Sequence, residues 1–147
     1  MPVNPSIVLT LLLLGAPQSR DVVVHVPTSE ALKVAQIIAR NEGYDVKNEK
    51  LYFFDSLDTQ GGLLEGYTSI GFYINGNIRS TISISETTGQ ALDMNSCEIF
   101  DYPELRSFQD RISRLSKTKR KTPQELADDA GCGSPIVLTK PVSYSKK

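Results

Sequence analysis

One imidazole, two thiols and a few neighbouring carboxylates are the side chains in this 147-residue sequence from which covalent or acid–base chemistry could be assembled. His25 is the only histidine, and Cys97 and Cys132 are the only cysteines. A thiolate needs a nearby base to act as a nucleophile, so Cys97 or Cys132 with His25 would make a small hydrolase or thiol enzyme. No H-x-x-x-H or C-x-x-C spacing occurs, and no metal set and no cofactor are expected. Asp128-Asp129 and the Asp55, Asp58 pair fall at expected helix ends or turns, where carboxylates cap and solvate. Gly61-Gly62 and Gly131-Cys132-Gly133 lack the repeated glycines and the lysine of a phosphate cradle. A lone histidine in the valine-rich stretch "DVVVHV" reads as a structural residue, which favours a protein without catalysis.

The cysteines have a second reading. Residues 1–19 carry no ionisable side chain, and the run Ile7 to Leu14 is far shorter than the roughly 18 apolar residues a membrane span needs. Such a run reads as the core of a secretory signal peptide, giving a secreted or periplasmic protein with no stable membrane span. In an oxidising compartment an even number of cysteines suggests a bridge. A Cys97–Cys132 disulfide would close a loop of about 36 residues, worth roughly 3.5–4 kcal/mol in the chain-entropy account.

The elements that would position these residues follow from periodicity. After Pro27, Thr28 or Ser29 can cap a helix that carries Glu30 in its first turn. Ala31, Val34, Ala35 and Ile38 form its apolar stripe, and Gly43 supplies the stop. "LYFFDSL" (51–57) reads as a short aromatic strand. Thr68, Ile70, Phe72 and Ile74 alternate with Tyr67, Ser69, Gly71 and Tyr73. Asn75-Gly76 is a strong signal for a two-residue hairpin. Beyond it, Ile78, Ile82 and Ile84 are expected inward, with Arg79, Thr81, Ser83 and Ser85 outward, in a sheet packed on one side and wet on the other. Thr88-Gly89 turns the chain into a strand over 90–94. Further on, an Asp101 cap and Pro103 open a helix with a stripe of Leu105, Phe108, Ile112 and Leu115. Thr122-Pro123-Gln124-Glu125 has capping-box spacing. "IVLTKP" predicts an extended edge segment, followed by a disordered basic tail.

The predicted fold class is α+β, an antiparallel meander packed against one amphipathic helix with a C-terminal helical extension. The helix "SEALKVAQIIARNEGY" followed by "GYTSIGFYINGNIRSTISISETTGQAL" resembles a PepSY domain, the module of peptidase propeptides and of stand-alone exported bacterial proteins. Together with the apolar run, the resemblance divides the chain into a signal peptide (1–19), a PepSY-like domain (20–95) and an extension packed on the same domain (96–147). It implies no catalytic residues and a protein or peptide partner, a peptidase being one such partner.

Two surfaces remain. Tyr67, Tyr73, Arg79 and Thr81 lie on the face away from the isoleucines, an amphipathic patch suited to protein binding. Arg111, Arg114, Lys117, Lys119, Arg120 and Lys121 form a basic cluster that would dock on an anionic surface, or serve as a solvated helix face and linker. No aromatics interleave with these cations as a stacking platform requires, and the net charge is −1, so nucleic acid is not expected as a partner.

Overall fold

The computed structural model describes residues 26–55 and 64–146. His25, the apolar run of the expected signal peptide and Gly61-Gly62 lie outside the described residues, as do the carboxylates of the Asp55, Asp58 pair. Helix α1 (Thr28–Asn41) comes first, then strands β1 (Leu51–Asp55), β2 (Tyr67–Ile74), β3 (Asn77–Ser85), β4 (Ala91–Asp93) and β5 (Glu98–Phe100). A 3₁₀ turn (Pro103–Leu105) leads into helix α2 (Arg106–Ser116), followed by helix α3 (Pro123–Asp129) and strand β6 (Ile136–Leu138). The strands form one six-stranded sheet in chain order, antiparallel except for the parallel β5–β6 pair. The fold is therefore α+β, a meander with a helix packed on it.

The α1 stripe is buried as its spacing predicts. Ala31, Val34, Ala35 and Ile38 share one apolar cluster with Ile70, Phe72, Ile74, Ile82 and Ile84 of the hairpin strands. Leu105 and Ile112 complete that cluster from the C-terminal half. At roughly 1.5–3 kcal/mol per fully buried large apolar side chain, this layer is the main favourable contribution to the fold. Asn75 and Gly76 both have positive φ (52° and 77°), the backbone that a type I′ hairpin demands. Gly89 also has positive φ (69°), and an added Cβ there would lie 3.0 Å from the Gln109 Cα. Glycine thus lets the turn before β4 sit directly on α2.

Several local expectations change. Pro27, rather than Thr28 or Ser29, occupies the N-cap of α1. Asp101 does not cap the following helix, because Tyr102 holds that position; its carboxylate instead accepts from Arg106 (2.9 Å) and Arg120 (3.1 Å). Leu115 leaves the predicted stripe and is 53% exposed. The tail after β6 packs back on the chain through Lys146. The Val142 N–H bonds to the Asn41 carbonyl (2.8 Å), the Lys146 N–H bonds to the Gly43 carbonyl (2.7 Å), and the Lys146 ammonium lies over the Tyr44 ring. These contacts strap the tail across the end of α1, and the first satisfies the Asn41 carbonyl that the helix terminus leaves free. The predicted capping box forms as written, with reciprocal Thr122 and Glu125 bonds.

Nor is the second face of the sheet wholly wet. Leu126 of α3 is fully buried against Tyr67, Leu92 and Ile99. This small second core covers the outer face of β4 and β5 together with Tyr67 at the start of β2.

Candidate protein-binding surface

Cys97 and Cys132 are joined in a disulfide, with their Cα atoms 5.9 Å apart. The bridge ties the β4–β5 turn to the chain just after α3, and the Cys97 carbonyl accepts from the Ile136 N–H (2.9 Å) where β6 begins. While bonded, neither sulfur is available as a thiolate. Of the carboxylates singled out in the sequence, those of Asp128 and Asp129 are held by neighbouring side chains. Asp129 accepts from the Tyr67 hydroxyl (2.7 Å) and from Lys121, and Asp128 accepts from the Gln124 amide. Burial would raise the Asp129 carboxyl, but the bonds from Lys121 and Tyr67 outweigh it and hold the group below its ordinary range. The same burial and the Asp129 bond push the Tyr67 phenol well up.

This places Tyr67 outside any accessible patch. It is only 8% exposed and roofed by α3, which sequence periodicity could not foresee because α3 lies more than 50 residues downstream. The basic cluster is also partly spent. Arg111 pairs with Glu30, Arg120 with Asp101 and Lys121 with Asp129. Gln90 holds the linker itself, exchanging two bonds with the Lys121 backbone (2.8 and 2.9 Å).

The outer face at β1–β3 is different. Tyr73 is half-buried, Arg79 exposed and Thr81 half-buried. Between them the β2–β3 register shifts. Ile74 pairs with Asn77 and Tyr73 with Ile78, but Phe72 pairs with Ser80, so Arg79 is the extra residue of a bulge. A one-residue shift reverses the faces of a strand. Ile78 is therefore turned away from the isoleucine core it was expected to join, and it is 48% exposed. In register with it across β2 and β1 stand Tyr73 and then Tyr52, which is 56% exposed. Ser80 takes the inward place and donates to the buried Asp93 carboxylate (2.6 Å).

Two residues further along β1, on the same face, Phe54 pairs with Gly71, whose missing side chain leaves room for the ring: an added Cβ would come within 2.2 Å of it. Phe54 stacks at a tilt on Tyr73 with centroids 4.5 Å apart. The outcome is a row of Tyr52, Tyr73 and Ile78 flanked by Phe54, Thr81 and Arg79. Large rigid side chains of this kind anchor protein interfaces, because burying them brings much apolar area at low entropic cost. Sequence reading missed Tyr52, Phe54 and Ile78. Alternation within "LYFFD" was the available signal for the first two, whereas nothing local marks the bulge.

No family model matches the chain, and no curated protein matches it. Among solved structures, it is similar to a chain of a type VI secretion system effector-immunity complex from Pseudomonas protegens, with a TM-score of 0.62 and 19% identity over 74% of this chain and 91% of that one. The likeness is one of fold. Among the described residues, no helix is long and apolar enough to cross a membrane.

Proposed function

We propose that this chain is an exported, non-catalytic module that binds a partner protein through the outer face of β1–β3. The observation that carries the reading is the Arg79 bulge, which sends Ile78 to the solvent side and aligns it with Tyr73 and Tyr52. A bulge that exposes a large apolar residue weakens the core unless that residue is covered by something else. The Cys97–Cys132 bridge supports the exported setting, since such bonds persist in oxidising compartments. Similarity in fold to a chain of an effector-immunity complex supports a protein as the partner. It puts a pairing of the effector–immunity kind ahead of a peptidase, the partner that the PepSY resemblance suggests.

The test is a photo-reactive benzophenone amino acid in place of Tyr52, irradiated in producing cells. The expected result is one reproducible protein adduct that disappears when Ile78→Ser is added and is absent with the same probe at exposed Ser134. Equal labelling from both positions, or labelling indifferent to Ile78→Ser, would overturn the reading.

A further inference from the structure

On the helix side of the sheet, away from the proposed patch, α1 and α2 leave an open cleft of about 420 Å³. Its floor is apolar, made by Val34 and Ile37 of α1 and Phe108 of α2. Its rim is charged, and the charges are unevenly committed. Glu30 is paired with Arg111 (2.9 Å), whose guanidinium also lies over the Phe108 ring. Glu104 is held by Arg40 (2.8 Å) and by the Asn41 amide (2.9 Å). Lys33 and Arg114 are both exposed on the rim, and neither is ion-paired among the described residues. The cleft thus offers an apolar trough between two uncommitted cations, its acids already neutralised.

We propose that this cleft takes an acidic, amphipathic helical segment of a partner protein, seating apolar side chains on Ile37 and Phe108 and carboxylates against Lys33 and Arg114. Charge complementarity selects the sign of the partner, and the floor selects its class. A sulfated or phosphorylated polymer would use the cations and leave the trough unfilled. A membrane surface would meet the crests of the helices, while the apolar side chains lie between them. The inference stands apart from the β1–β3 reading, because the two surfaces lie on opposite sides of the sheet.

The probe is a synthetic peptide of about three helical turns, with leucine at i, i+3 and i+7 and glutamate at most other positions. The controls are the same peptide with lysine for glutamate, the same peptide with serine for leucine, and a heparin fragment. Amide shifts of the isotope-labelled protein locate binding, and fluorescence anisotropy measures it. The expected result is shifts at Lys33, Ile37, Phe108 and Arg114, with each control at least ~10-fold weaker. Lys33→Glu with Arg114→Glu should also weaken the probe at least ~10-fold while the amide spectrum keeps its dispersion. Both positions are exposed, so the variant tests charge rather than folding. No shifts at those amides up to about 1 mM peptide would overturn the proposal. So would equal binding of the serine peptide or heparin, which would mark an anionic-polymer site, or unchanged affinity of the double variant.

Discussion

Replacing Cys97 and Cys132 together by alanine should lower stability by about 3.8 kcal/mol at 25 °C, the chain-entropy value for cross-linking residues 35 apart in sequence. That is a large share of the roughly 5–15 kcal/mol by which domains of this size are stable. In a thermal scan it corresponds to a fall of roughly 10 °C. The structure also says where the loss falls. The bridge fixes α3 and β6 against the β4–β5 turn, and the second core of Tyr67, Leu92, Ile99 and Leu126 depends on α3 staying there. Urea unfolding gives the global number, and amide exchange gives the location. Ile136 and Leu126 should exchange faster in the variant than Ile70 and Ile82 of the main core do. An unchanged urea midpoint, or two thiols titrating with a thiol reagent in the native wild type, would refute the reasoning. Uniform acceleration across both cores would refute the assignment of the bridge to one end of the sheet.

Gly89→Ala should destabilise by about 2–4 kcal/mol, measured by urea unfolding, because the positive φ penalises a side chain and Gln109, Phe108 and Ile112 already fill the space it would enter. A loss below about 0.5 kcal/mol would mean that the turn does not rest on α2 as described. Burial pushes the Glu42 carboxyl up from 4.5 to about 7, with Glu98 and Asp93 adding to the rise and Lys146 opposing it. The folded chain then binds this proton more tightly than the unfolded chain, so its contribution is fully present below pH 4.5 and is lost as pH rises through about 7. Glu42→Gln should therefore flatten the decline in stability across that window, and an unaltered urea-midpoint profile would contradict the assignment.

Much of the architecture could be read from the chain because its signals are local. The α1 stripe, the Asn75-Gly76 turn and the Thr122–Glu125 capping box each lie within a few residues, and each forms as its chemistry dictates. What could not be read depends on distant partners. Tyr67 looks like a surface residue until α3 arrives over it, and the basic tail looks free until Asn41 and Gly43 accept its N–H groups. Ile78 is the instructive case. Strict alternation assigns it to the core, and a single extra residue at Arg79 reverses it, because side-chain direction in a strand has a period of two. The Tyr52–Tyr73–Ile78 row became visible only through that reversal, whereas Tyr73, Arg79 and Thr81 could be picked out from the sequence.

The affinity of the partner captured at Tyr52, measured against wild type and the Tyr52→Ser, Ile78→Ser double variant, addresses the central claim most directly. Both side chains are about half exposed, so their loss should leave the fold intact. Two anchors at about 2 kcal/mol or more each predict binding at least roughly 700-fold weaker, with Tyr67→Phe indistinguishable from wild type. Affinity within about threefold of wild type for the double variant would place the partner elsewhere and contradict the account.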